Sequence, residues 1–324
     1  MKAFLCRQFS EPEQCAVEEI SLRAPSAGEV HIRVRAAGVN FPDALMVQGK
    51  YQLKPPFPFS PGAEVAGDVL AVGEGVRHIK VGDRVAAFCG VGGYAEEVIA
   101  PAAATMPIAP QMSYELAATF NLAYGTSWHA LRDRAQLQAG ETLVVLGAAG
   151  GVGLAAVEIG KAVGAKVIAC ASTDEKLALA KKHGADVLIN YETTDLREAI
   201  KTATGGAGAN VIFDPVGGKF SEPAFRSIAW RGRHMVIGFA SGPIPSLPLN
   251  LTLLKGASIM GVFWGEFAKR EAKANFAGLQ EMTAWIAEGK LRPHISKTYI
   301  LAESGTALRD ILNRQVTGKV VILP

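Results

Sequence analysis

The apolar positions change rhythm along the chain. In the first third they form short runs cut by glycine and proline. Residues 30–34 (Val-His-Ile-Arg-Val) alternate apolar and polar side chains, the period of a half-buried strand. Residues 62–72 mix small and apolar side chains and end at Gly73-Glu74-Gly75. Val81-Gly82-Asp83-Arg84-Val85 reads as a turn entering another strand. Residues 55–61 are too rich in proline for a helix and predict a rigid loop. Together these features predict a twisted, barrel-like β module.

From Ser113 the texture becomes helical. Residues 113–131 are alanine-rich, with Ser113 as the expected cap. Strand-like and helix-like segments then alternate at 142–147, 151–163, 166–170, 174–183, 187–190, 196–202, 211–214, 224–229 and 234–238. That alternation predicts a doubly wound parallel sheet. A long helix is expected over 269–289. A closing strand over 320–323 is expected to return to the first module. No internal repeat is visible.

One unit of the alternation carries chemistry. Leu143-Val144-Val145-Leu146 runs into the small-residue turn Gly147-Ala148-Ala149-Gly150-Gly151-Val152-Gly153. A helix and a second apolar run (166–170) follow, so the order is strand, glycine turn, helix, strand. Gly150 lets a pyrophosphate approach the backbone, and Gly153 lets the helix approach the strand. The helix N-terminus, at Gly151 and Val152, offers free N–H groups and a positive dipole end. The dinucleotide fingerprint G-x-G-x-x-G falls here as Ala148-x-Gly150-x-x-Gly153, with alanine in the first place.

The end of the second strand bears on the choice of cofactor. An NAD site holds the ribose 2′-hydroxyl with an acid about 20 residues past the glycines. Cys170-Ala171-Ser172-Thr173 has none. A 2′-phosphate is repelled by an acid and held by hydroxyls and a cation, which Ser172, Lys176 and Tyr191 offer. NADPH is therefore the expected cofactor. Ser172-x-x-Glu175 also fits a capping box, and Lys176 also fits a solvated helix face.

Length and composition narrow the partners. The 324 residues suffice for two domains, and 49% are apolar, as in a globular protein. The net charge is +3 with scattered Lys and Arg, so nucleic acid is not an expected main partner. Lys181-Lys182-His183 reads as a solvated helix end. Cys6, Cys15, Cys89 and Cys170 form no C-x-x-C, which suits a reduced, cytoplasmic location. Cys6, Cys89 and Cys170 sit in apolar runs and are expected in cores. The N-terminus lacks a signal-peptide apolar core, and the longest apolar window, 143–157, is shorter than a membrane span.

Several short motifs together carry a resemblance. They are Ala36-Ala37-Gly38-Val39-Asn40-Phe41-Pro42-Asp43, Gly49-Lys50-Tyr51, Pro61-Gly62-Ala63-Glu64-Val65-Ala66-Gly67 and Val81–Val85. Ala148–Gly153, Ile189-Asn190-Tyr191 and Gly318-Lys319-Val320-Val321 complete the set. Over essentially its whole length the chain resembles the zinc-independent medium-chain dehydrogenases/reductases, in the quinone oxidoreductase branch that includes zeta-crystallin. The resemblance implies a GroES-like, β-rich catalytic domain (1–124 and 266–324) around a Rossmann domain (125–265), an α/β fold overall. Zinc-dependent relatives carry a Cys ligand where this chain has Asn40 and a His where it has Ala63. Without thiolate and imidazole no tetrahedral zinc site is expected.

The resemblance also implies the site. Asn40, Asp43 and Tyr51 are expected around the nicotinamide and the acceptor, with Tyr51 donating to a developing oxyanion. Tyr51 equally suits a packing residue, and Asn40 a turn amide. Gly238 and Phe239 are expected to face the nicotinamide ribose, and Val262, Phe263 and Trp264 to flank the ring. Lys319 is expected to reach phosphate or ribose. A homodimer paired near residues 258–262 is implied as well. The implied activity is hydride transfer from NADPH to a small-molecule quinone. The alternatives are a reductase of α,β-unsaturated carbonyls, whether alkenals or enoyl thioesters, and a non-catalytic NADPH-binding protein.

Overall fold

The computed structural model describes all 324 residues. Their contacts divide the chain into two compact units, Met1–Asn121 with Pro293–Pro324, and Leu122–Arg292. The first unit opens with the antiparallel pair β1 (Lys2–Leu5) and β2 (Ala16–Glu19). Next come β3 (Glu29–Val39), helix α1 (Phe41–Val47), β4 (Glu64–Val72), β5 (Arg84–Phe88), β6 (Glu97–Pro101) and β7 (Thr105–Pro107). Helix α2 (Tyr114–Trp128) contains the boundary. The second unit holds β8 (Thr142–Leu146), α3 (Gly151–Val163), β9 (Lys166–Ala171), α4 (Asp174–Lys182) and β10 (Val187–Asn190). It continues through α5 (Leu196–Ala203), β11 (Ala209–Asp214), α6 (Ser221–Arg226), β12 (Ile228–Val236), α7 (Asn250–Lys255), β13 (Ser258–Gly261), α8 (Trp264–Arg270) and α9 (Ala272–Ala287). The chain returns to the first unit as β14 (Ile295–Ile300), α10 (Ser304–Leu312) and β15 (Lys319–Leu323).

In the first unit the sheet order is β14-β15-β3-β4-β5-β7, with β6 also on β3. Val30, Ile32 and Val34 point into the core, as the alternating pattern predicts. A register shift after Val34 then changes the rhythm, and Ala36 through Val39 are all buried. Ala36 packs with Ala66, Ala86, Ala118 and Val321 in a layer of small side chains. The expected return of the chain end is present, because β15 pairs antiparallel with β3 through Val320 opposite Val39 and Val321 opposite Gly38.

The second unit is a parallel sheet in the order β10-β9-β8-β11-β12-β13. The strand order reverses between β8 and β11, which is where open α/β sheets bind ligands. β8 is apolar without alternation because both its faces are covered. Its turn depends on close backbone approach. A Cβ on Gly153 would lie 2.2 Å from the Gly147 carbonyl oxygen, so only glycine fits. The carboxyl of Glu158, inside α3, is buried and accepts from Tyr124 Oη at 2.7 Å and pairs with His183 Nδ1 at 2.5 Å.

Several expectations from the sequence are corrected. His183 is not a solvated helix end; it is drawn inward by Glu158. The cap of α4 is Thr173, whose Oγ1 accepts from the Lys176 N–H, and not Ser172. α2 stops at Trp128 and passes into a π-turn over His129–Arg134. The helix expected over 269–289 is two helices, broken at Glu271 with non-helical φ −123° and ψ 45°. Cys89 is half-buried and packs at the edge of the first unit's core. β12 begins at Ile228 and not at 234, because Trp230 and Arg231 are exposed and mask its period. The chain re-enters the first unit at Pro293 and not at 266. The reason is that α9 packs on the second unit. The Trp128 indole N–H donates to Glu281 at 2.5 Å, and Gly278 lies under the Trp128 ring.

Candidate active site

In the second unit, β8 delivers Gly150 to the cap position of α3. A Cβ there would meet nothing closer than the Gly147 oxygen at 3.5 Å, so internal packing does not require glycine. The first-turn amides of Gly151, Val152 and Gly153 are of the kind that a helix leaves without intrahelical acceptors. At the end of the adjacent β9, Lys176 Nζ lies 3.4 Å from Ser172 Oγ. Asp174, two residues past Ser172, is bonded to Asn190 Nδ2 at 2.9 Å. Tyr191 follows β10 and stacks on Phe220 with ring centroids 4.2 Å apart. A helix N-terminus without a side-chain cap and a hydroxyl–ammonium pair therefore sit at the carboxyl ends of β8 and β9. This donor set fits a dinucleotide bearing a 2′-phosphate.

The remaining residues named for this unit lie at other strand ends. Gly238 and Phe239 follow β12, where Ile237 N–H donates to the Asp214 carbonyl at 3.0 Å and Phe239 packs on Gly217. Val262 follows β13, with its N–H on the Val236 carbonyl at 3.0 Å. Phe263 is exposed. Trp264, expected beside the nicotinamide, is buried; its indole N–H donates to Asn275 at 3.0 Å and its ring covers Gly125.

In the first unit, Asn40, Asp43 and Lys319 converge in a buried polar network that includes two residues not singled out from the sequence, Glu64 and Tyr94. Lys319 Nζ donates to Glu64 Oε1 at 3.0 Å, to the Val39 carbonyl at 3.3 Å and to Asn40 Oδ1. Asn40 Nδ2 donates to the same Glu64 oxygen at 2.9 Å. Asp43 Oδ2 accepts the Asn40 backbone N–H at 2.9 Å, closing the N-terminus of α1, and the Tyr94 hydroxyl at 3.0 Å. Both polar ends of the Asn40 amide and all three Lys319 donors thus have protein partners. Both groups are held by the Glu64 carboxylate, whose charge the Lys319 ammonium balances and whose oxygen the Asn40 amide also bonds. Tyr51 packs half-buried against the core of this unit.

Electrostatics set this network apart. Burial pushes the Asp43 carboxyl up to about 6, against the lowering effect of its two hydrogen bonds and of Lys319. Burial, then the negative charge of Asp43, raises the Tyr51 phenol. The same causes lift Tyr94 well above the ordinary tyrosine value and Cys89 to about 12. No group of three or more His, Cys, Asp or Glu side chains is placed to hold a metal ion. Glu64 was visible within the motif Gly62-Ala63-Glu64, but its partner lies 255 residues away. Tyr94 had no local signal.

Comparison with known proteins agrees with this architecture. Residues 26–110 match the alcohol dehydrogenase GroES-like domain, and residues 151–282 match the zinc-binding dehydrogenase domain. The chain is 39% identical to the quinone oxidoreductase-like protein 2 of Bos taurus, over 99% of this chain and 92% of that protein. It belongs to the zinc-independent quinone oxidoreductase family of medium-chain dehydrogenases/reductases. Among solved structures, the quinone oxidoreductase of Escherichia coli complexed with NADPH superposes with a TM-score of 0.94 at 29% identity, covering 100% of both chains. The CurK enoyl reductase superposes with a TM-score of 0.87 at 26% identity, covering 99% of both. The chain is thus a family oxidoreductase, and both expected domain types are present.

The Glu64–Lys319 pair gives a stability prediction. Removing one partner of a buried ion pair costs about 3–5 kcal/mol. Lys319→Met should lower the unfolding free energy, read by urea denaturation, by about that much. The double variant Glu64→Gln/Lys319→Met should lose less than the single one. A loss below about 1 kcal/mol for Lys319→Met would place the pair among weak surface contacts.

Proposed function

We propose that the chain is an NADPH-dependent, zinc-free reductase that delivers hydride to a quinone. The observation that carries the cofactor assignment is the end of β9, where Lys176 stands 3.4 Å from Ser172 Oγ and Asp174 is bonded to Asn190. The Escherichia coli relative complexed with NADPH supports it. Gly150 with the first turn of α3 would hold the pyrophosphate, and Ser172, Lys176 and Tyr191 the 2′-phosphate. Gly238, Phe239 and Val262 would line the nicotinamide end. When bound, the reduced nicotinamide supplies the hydride.

The chain's own residues then have two tasks. The first is orientation, because a quinone or enone is electron-poor and accepts hydride once it is held in line. The second is a hydrogen bond to the oxygen on which negative charge develops. The resemblance assigns Tyr51 this second role, and its side chain is only half-buried against the core. Asn40 and Lys319 act one step back, by fixing the end of β3 and the start of α1. Asn40 and Ala63 stand where zinc-dependent relatives carry ligands, so chelation should leave activity unchanged.

The quinone reading draws on the name of the Bos taurus relative, and the CurK enoyl reductase favours the enone alternative as second reading. A homodimer is part of the proposal. β13 is an edge strand, and near it Trp230, Leu249, Leu253 and Leu254 expose large apolar side chains.

Three measurements test these assignments. Ser172→Asp should erase the preference for NADPH over NADH, and Lys176→Ala should weaken NADPH by about 1–3 kcal/mol, both read as dissociation constants. Equal wild-type constants for the two cofactors would refute the choice. Turnover with benzoquinone and phenanthrenequinone should exceed that with crotonyl-CoA and alkenals. Tyr51→Phe should reduce kcat about tenfold, more on enones, with NADPH affinity kept; an unchanged kcat on both acceptor types returns Tyr51 to packing. Sedimentation should find a dimer in the wild type and a monomer in Leu253→Glu/Leu254→Glu.

A further inference from the structure

In the second unit one buried carboxylate organises two loops at once. We propose that Asp214 is a positioning residue for the nicotinamide end of the site. It acts from inside the fold, through the turn after β11, on the segment after β12. The inference rests on the reductase reading above, in which Gly238 and Phe239 line that end.

Asp214 is the last residue of β11, and its side chain is buried. Its two oxygens have different partners. Oδ1 accepts the Val216 N–H at 2.9 Å and the Gly217 N–H at 2.8 Å, which curls the chain back directly after the strand. Oδ2 accepts the Ser221 hydroxyl at 2.5 Å, at the start of α6, and lies 3.3 Å from His234 Nε2 on β12. Burial by itself raises such a carboxyl. The contacts with His234, Gly217 and Ser221 outweigh burial and hold the group below the ordinary aspartate value. The carboxylate, which accepts at both oxygens, is therefore the resident form.

The turn built on Oδ1 in turn places its neighbour. The carbonyls of Asp214, Pro215 and Val216 accept the N–H groups of Ile237, Ala240 and Ser241 at 3.0, 3.1 and 2.9 Å. The Gly218 N–H donates to the Pro243 carbonyl at 3.2 Å. Phe239 packs on Gly217, where a Cβ would lie 3.0 Å from a carbon of its ring. β12 ends at Val236 and α7 begins at Asn250, with no helix or strand between them. Residues 237–243 thus take their position from the turn, and the turn takes its shape from Oδ1. Hydride transfer is sensitive to such a chain of contacts, because a displacement of about 1 Å caused by a remote substitution can cost about 100-fold in rate.

The test separates position from stability. Asp214→Leu removes both acceptor oxygens at similar volume. In a single turnover with benzoquinone, followed by NADPH absorbance, the amplitude reports the folded fraction and the rate constant reports the reaction. The rate constant should fall at least about tenfold in Asp214→Leu. NADPH should bind more weakly to this variant. Adenosine 2′,5′-bisphosphate, which carries the 2′-phosphate and no nicotinamide, should keep its dissociation constant. Asp214→Asn retains one oxygen for the two turn amides and should return the rate constant to within about fivefold of wild type. A merely structural aspartate would lower the amplitude and leave the rate constant and both dissociation constants in place.

An unchanged rate constant, equal weakening of NADPH and the bisphosphate, or Asp214→Asn as slow as Asp214→Leu would each overturn the proposal. If Asp214→Leu fails to fold, amide exchange in the cofactor-free wild type decides. The Val216, Gly217, Ala240 and Ser241 amides should exchange slowly, and fast exchange at Val216 and Gly217 would refute the role of Oδ1. The two readings fail separately. A wild-type enzyme that binds NADPH but reduces no quinone or enone refutes the reductase reading, and the two dissociation constants still test Asp214. Turnover by Asp214→Leu at the wild-type rate refutes the positioning role alone.

Discussion

The ammonium of Lys319 lies buried against the carboxylate of Glu64, with the Asn40 amide between the two charges. Two unlike charges taken from water must stay together, because either one alone would carry a large desolvation penalty. The first unit is arranged to keep them so. β15 must pair with β3 to bring Lys319 in, and β4 must pair with β3 to present Glu64. Gly38 is needed in between, since a Cβ there would lie 2.8 Å from Glu64 Oε1 and 2.2 Å from the Ala118 carbonyl oxygen. Asn40, fixed by both charges, sets the point at which β3 ends and α1 begins. Asp43 closes the first turn of α1 from the inside.

By resemblance, Asn40 of this network stands where zinc-dependent relatives carry a metal ligand. The cation at that place in this chain is a side chain with a fixed charge and three hydrogen-bond donors. Positive charge there balances Glu64 and orients an amide. It provides no open coordination position for an alcohol or a carbonyl. That distinction suits the proposed hydride transfer to an electron-poor acceptor.

The second unit depends on a different constraint, the distance between backbones. Gly153 lets α3 meet the turn after β8, and Gly160 lets the same helix lie on Leu143 and Val167. Gly150 has no such internal duty, since a Cβ there would meet only the Gly147 oxygen at 3.5 Å. Of the two glycines in this turn, packing demands Gly153, and the proposed pyrophosphate site gives Gly150 its role.

Much of this was legible in the sequence because it is local. Alternation in residues 30–34, the unbroken apolar run of β8 and the glycines after it each reflect neighbours a few positions apart. The missing acid at Ser172 is local as well, and so is the α2 cap, where Ser113 Oγ accepts the Leu116 N–H at 3.2 Å. What the sequence left open was decided by side chains distant along the chain. His183 reads as a solvated helix end until Glu158, 25 residues earlier, draws it inward. Tyr94 gains meaning only as the second donor to Asp43, and Lys319 only as the counter-ion of Glu64. The physical reason is that a turn or a period is fixed by bonds to near neighbours, whereas a buried charge is fixed by whatever the topology brings to it. The sequence by itself therefore determined the two folds and the nucleotide turn. The tertiary structure alone decided which polar residues are engaged inside the protein.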